Sequence, residues 1–156
     1  MYFAVALRNG RDGTKEGILR IPGLWFDHDN VTPEKAEEIR NSPCPPSIIV
    51  QSSIPTKWHV YYLWKEPLKR EDIGLVEGLI ERLIHFYGGD SGRKDASGIL
   101  RIPGTKNLKP NKETGELLYD PPPTVRILEI NGNRYSPTDF DWLPEPERRN
   151  EKGVTH

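Results

Sequence analysis

Two aspartates, Asp27 and Asp29, follow directly on the apolar run Leu24-Trp25-Phe26. On a strand, residues i and i+2 point to the same face, so both carboxylates would project together. Two carboxylates that close repel each other unless a cation sits between them. Mg²⁺ and similar hard ions favour such oxygen ligands and complete their shell with water and substrate phosphates. The same string also suits a solvated strand end that turns at Asp29 or Asn30. Lys57 and His59 form a second pair with the same spacing. A cation beside an imidazole can hold phosphate oxygens; the pair also suits a strand with one exposed lysine and a hydrogen-bonded histidine. A third run opens with Gly88-Gly89-Asp90 and continues through Arg101 to Lys106 and Lys109. Its glycines let backbone approach a ligand closely, and its basic side chains could take phosphates. A structured turn with solvated charges is the other reading. Asp95 offers a second acid in this stretch.

These residues need elements to carry them. Tyr2 to Leu7 reads as one buried strand, followed by a hairpin-like turn from Asn9 to Thr14. Leu24 to Phe26 is a second strand, ending in the acids. Thr32-Pro33 opens a short helix, with Thr as cap and Pro at the first helical position. Pro43 to Pro46 breaks the chain. Ser47–Gln51 and Lys57–Trp64 pair as a hairpin across Ser52 to Thr56, the second strand being rich in aromatic and β-branched residues. From Glu71 to Tyr87 a helix presents Ile73, Val76, Leu79, Ile80, Leu83 and Phe86 as one apolar stripe, and Gly88-Gly89 ends it. Asp90 to Ser97 is polar and irregular. Ile99 to Ile102 is a short apolar run, Lys109 to Gly115 a charged turn, and Thr124 to Ile130 a last strand. Residues 1–142 form the expected core, and 143–156 read as a disordered tail or linker. Arg-Ile-Pro-Gly occurs at Arg20 and again at Arg101, but four residues without flanking similarity make no repeat.

The chain has 156 residues, enough for one domain with one core. Its formal net charge of −1 means that any basic groove must be local and balanced by acids elsewhere. The single cysteine, Cys44, cannot form an internal disulfide and reads as a semi-buried filler in a loop. No Cys/His cluster has zinc spacing. A reducing, cytoplasmic location is expected, with no membrane span and no secretory signal at the N-terminus.

In order and combination, the three constellations resemble the motifs of the archaeo-eukaryotic primase superfamily. The likeness is greatest to the primase-polymerases and replication primases of plasmids, phages and mobile elements. Leu24-Trp25-Phe26-Asp27-His28-Asp29 looks like the first motif. Pro46 to Ser53, leading to His59-Val60-Tyr61-Tyr62, is similar to the second. Gly89-Asp90, leading to Arg101-Ile102-Pro103-Gly104-Thr105-Lys106-Asn107-Leu108-Lys109, resembles the third and is the most specific match. The resemblance runs from about Phe3 to Lys109. Lys57 stands two before the histidine, where the wider superfamily often has serine, and Ser53 to Lys57 replaces a glycine-rich turn.

The resemblance implies an α/β (α+β) single domain: a mixed, mostly antiparallel sheet of the primase and RNA-recognition type, with flanking helices. It implies a template-dependent nucleotidyltransferase, a primase or DNA polymerase, using two divalent ions, Mg²⁺ or Mn²⁺, and no zinc. Asp27, Asp29 and Asp90 would hold the ions; spacing to Arg101 favours Asp90 over Asp95 as third ligand. Lys57, His59, Arg101 and, more weakly, Arg8 would bind the nucleotide. Lys106 and Lys109 would meet template or nucleotide. The implied partners are a single-stranded DNA template, nucleoside triphosphates and a helicase, in the same chain or separate. A non-catalytic nucleic-acid or nucleotide-binding module and a metal-dependent nuclease are the competing classes.

Overall fold

A computed structural model describes residues 2–90 and 99–146. Its framework is a five-stranded antiparallel sheet. The strands in chain order are β1 (Tyr2–Ala4), β2 (Leu7–Arg8), β3 (Ile18–His28), β4 (Ile48–Gln51), β5 (Trp58–Lys69), β6 (Ile99–Arg101) and β7 (Arg126–Ile130). The main sheet runs β2-β3-β5-β4-β7, and β1 pairs with β6 as a separate antiparallel ribbon. Among the described residues the α-helices are α1 (Pro33–Arg40) and α2 (Ile73–Tyr87). This is the expected α+β architecture, with every pairing between these strands antiparallel.

β3 and β5 form the spine. Their register sets Phe26 opposite Val60, Asp27 opposite His59 and His28 opposite Trp58. β3 starts six residues before Leu24 and runs through Pro22, where the register shifts between Ile21 and Gly23. Proline has no N–H to donate, so it is accommodated at such an irregularity. The strand is accordingly longer than its apolar run suggests.

Alternation along these strands divides the sheet. Phe26 stacks on Tyr87 of α2, with ring centroids 5.5 Å apart, and Tyr62 packs edge-on against Phe140 at 5.4 Å. On the other face Tyr61 stacks on Phe3 of the ribbon at 6.3 Å. The helix side thus carries the larger core, and the ribbon partly covers the opposite face.

Thr32 caps α1, its hydroxyl accepting from the Lys35 N–H at 3.1 Å. Gly88 ends α2 in the left-handed conformation, φ 77°, as a helix stop without Cβ can. The α2 stripe is rotated slightly from expectation. Val76, Leu79, Ile80, Leu83, Ile84 and Tyr87 are buried, whereas Phe86 is 38% exposed and packs on Trp142 at the rim. The segment Tyr2 to Leu7 is not one buried strand. A bend at Val5-Ala6 splits it between the two sheets, and Tyr2 and Leu7 are both exposed. Cys44 is fully buried, with Sγ 3.2 Å from the Asp139 carbonyl. Packing continues past Trp142, since Leu143 is buried and Glu145 pairs with Arg82 at 3.2 Å. Residues 147–156 lie outside the described residues. No described helix is long and apolar enough to cross a membrane.

Candidate active site

Asp27 lies near the end of β3, on the face away from α2. It is buried to 7% exposure, while Asp29, just past the strand, is exposed. His59 occupies the directly paired position on β5 and is 5% exposed. Its Nε2 stands 3.7 Å from Asp27 Oδ1. Two buried polar side chains facing each other across a sheet interior to the protein are costly to desolvate unless each meets a partner. The Tyr61 hydroxyl, next along the same face, is pushed well above its ordinary value, by burial first and then by the Asp27 carboxylate.

A cavity of about 160 Å³ opens over this pair, lined by Asp27, Asp29, Lys57, His59, Arg101 and Lys109 together with Ser52, Ser53, Asn107 and Tyr119. Six of the nine sequence-derived candidates therefore share one wall system, drawn from the end of β3 and the residues after it, the start of β5 and the residue before it, β6 and the segment after β6. Acids and cations thus share one lining. Arg101 reaches the cavity because β6 pairs with β1, which sets it opposite Tyr2; its guanidinium lies 4.7 Å from the Tyr2 ring. Lys109 is aimed by Asn107, a buried residue whose Oδ1 accepts the Lys109 N–H (3.1 Å) while its Nδ2 donates to the Ser52 carbonyl (2.8 Å).

The remaining candidates are placed differently. Asp90 is half-buried, and its backbone N–H donates to the Asp27 carbonyl at 2.7 Å; it does not appear among the described residues lining the cavity. Asp95 lies outside the described residues. Arg8 is not at the cavity: it donates to the carbonyls of Asp12 and Thr14 at the β2–β3 turn (3.3 and 3.0 Å). Lys106 donates to the Thr124 hydroxyl at 2.8 Å and is exposed.

Sequence reasoning missed the neutral wall. Ser53 is buried and its hydroxyl lies 3.4 Å from the Tyr119 hydroxyl, a contact spanning 66 residues. Asn107 lies inside a motif whose recognisable chemistry is that of its charged neighbours. A buried polar residue in a run of exposed ones leaves no periodic signal, so only tertiary contact reveals it.

Among the described residues no group of three His, Cys, Asp or Glu side chains closes around a point. Mg²⁺ is nonetheless usually held by one or two carboxylates, with water and substrate phosphates completing the octahedron. Asp27 and Asp29, which line one cavity, fit that demand, and the cations in the same lining fit phosphates.

The fold recurs in known proteins. The cyanophage S-2L primase-polymerase (PrimPol) AEP domain superposes with a TM-score of 0.66 at 21% identity, over 92% of this chain and 69% of that one. The primase RepB′ superposes with a TM-score of 0.57 at 16% identity, over 76% of this chain and 38% of that one. The catalytic domain of RepB′ in complex with initiator DNA gives 0.55 at 16%, over 76% and 57%. The chain thus spans less than two thirds of either RepB′ chain. No curated protein matches in sequence. Residues 8–140 match the model of the RepB DNA-primase N-terminal domain, and the chain belongs to that primase family.

Proposed function

We propose that this domain is the catalytic core of a primase-polymerase, a template-dependent nucleotidyltransferase. The observation that carries the reading is the shared cavity: the carboxylates of Asp27, on β3, and Asp29, just past it, line it together with Lys57, His59, Arg101 and Lys109. Asp27 and Asp29 would hold divalent ions, with Asp90 as third ligand beside them. What Mg²⁺ or Mn²⁺ supplies when bound there is activation of a 3′-hydroxyl and stabilisation of the leaving pyrophosphate. Lys57, His59 and Arg101 bind the incoming triphosphate and offset its charge, aligning it with the attacking hydroxyl. Exposed Lys109 meets the nucleotide or the template strand. Single-stranded DNA is the favoured template class, and the initiator DNA bound by the RepB′ catalytic domain supports a DNA partner. A helicase, fused or separate, would supply that strand.

The test is incorporation of labelled nucleotides on single-stranded template with Mg²⁺ or Mn²⁺, with and without primer. Products longer than the primer, or new short products without one, are the expected result. Template shortening instead of synthesis would assign the acids to a nuclease.

A further inference from the structure

His28 stands between the two acids in sequence but on the opposite face of β3, toward α2, and is 5% exposed. Its Nδ1 lies 3.1 Å from the Asn30 backbone N, and its Nε2 lies 2.7 Å from the Tyr87 carbonyl. The Asn30 N–H can only donate, so Nδ1 accepts and the ring proton sits on Nε2, from which it is donated to Tyr87. Tyr87 ends α2, and its carbonyl is one of the helix-end acceptors left without a partner inside the helix.

Three residues further on, the chain returns to the same strand. Gly88 turns in the left-handed region, the Gly88 and Gly89 N–H groups both donate to Ile84 O (2.8 and 2.9 Å), and Asp90 N–H donates to Asp27 O at 2.7 Å. Adjacent residues of β3 therefore grip both ends of the segment 87–90: His28 through its ring, Asp27 through its carbonyl. Gly89 passes so close that a Cβ there would come within 2.8 Å of Asp27 O.

We infer that His28 is a positioning residue of the site: through its Nε2–H bond to Tyr87 it fixes where Asp90 stands relative to Asp27 and Asp29. The inference rests on the reading of these three acids as the site.

Two substitutions in the full chain separate this role from simple core packing. In His28→Gln the amide nitrogen can take the place of Nε2 and keep the bond to Tyr87. In His28→Asn the amide reaches only the Nδ1 position. The readouts are the hydrogen-exchange rate of the Asp90 amide, and kcat and KM for nucleotide incorporation. His28→Asn is expected to speed Asp90 exchange and lower kcat by about tenfold each, as loss of one buried hydrogen bond would, with KM little changed. His28→Gln should stay near wild type in both. Equal behaviour of the two variants, or fast Asp90 exchange in His28→Gln, overturns the inference; so does failure of His28→Gln to fold. An unfolded His28→Asn beside a folded His28→Gln with wild-type exchange supports it. Amide exchange needs no catalysis, so a wild-type protein that incorporates nothing would sink the functional reading while the exchange comparison still decides the role of His28.

Discussion

His59 Nε2 and Asp27 Oδ1 lie 3.7 Å apart at directly opposed positions of two antiparallel strands. The separation is too long for a direct hydrogen bond yet close enough for strong electrostatic coupling where both groups are buried. Both side chains line the cavity described above, where a carboxylate is suited to a cation and an imidazole to an anion. The strand register alone brings the acid of one motif to the base of another across 32 residues of chain, between Asp27 and His59.

Removing a carboxylate should stop synthesis without unfolding the domain. Asp27→Ala and Asp29→Ala are expected to lose nucleotide incorporation, because the shared ion site fails. Relief of carboxylate repulsion offsets the lost contacts, so melting should hold or rise. Full activity in either purified variant would disprove their assignment.

Loss of the phosphate-facing groups should appear in nucleotide affinity. On the proposed reading, His59→Ala and Arg101→Ala would each delete a charge-assisted hydrogen bond worth roughly 1.5–3 kcal/mol, so Kd is expected to weaken about tenfold to hundredfold. Arg8→Ala should leave affinity unchanged, since Arg8 bonds the β2–β3 turn and not the cavity. Calorimetric titration with a nucleoside triphosphate and a divalent ion measures all three. An Arg8 effect as large as that of Arg101 would show that the nucleotide lies elsewhere.

Gly89→Ala should damage both stability and activity. Its Cβ would stand 2.8 Å from Asp27 O and 3.2 Å from Phe26 Cδ2, so either this segment or the β3 backbone at Asp27 must shift. Overpacking of this kind costs roughly 1–3 kcal/mol. Chemical denaturation and the incorporation assay report the two effects; an unchanged midpoint would mean that the 87–90 segment shifts freely.

Buried tyrosines set the alkaline limit. The Tyr61 and Tyr62 hydroxyls are both raised above the ordinary 10.0, chiefly by burial, with Asp27 adding to it at Tyr61 and Tyr87 at Tyr62. Above that value the unfolded chain releases protons that the folded one keeps. Stability is therefore full below it and falls as pH rises, by about 1.4 kcal/mol per pH unit for each such group. Tyr62 O–H is buried without a hydrogen-bond partner among the described residues. Tyr62→Phe should therefore gain about 1 kcal/mol near neutrality and flatten the alkaline fall. Denaturant midpoints across that range test it, and an unchanged slope would refute it.

The sequence by itself determined the helices and most of the strands, and it named the residues of the candidate site. Thr32-Pro33 starts α1 because a cap and a fixed φ act locally. The β4–β5 hairpin and the end of α2 at Gly88 follow equally local rules. Periodicity found the α2 stripe but missed its edge, since only the packed partner Trp142 decides that Phe86 sits at the rim. The split of Tyr2 to Leu7 was illegible for the same reason: apolar content does not say which of two sheets will claim each half. At the site, residue types named Asp27, Asp29, Lys57, His59, Arg101 and Lys109, and tertiary structure alone put them around one cavity. Arg8 instead bonds the carbonyls of Asp12 and Thr14, and Ser53, Asn107 and Tyr119 share the cavity lining. The role inferred for His28 depends on which face of β3 meets α2. That choice is made when Phe26 buries its ring against Tyr87, because burial of large aromatic surface far outweighs any local preference of the residues beside it.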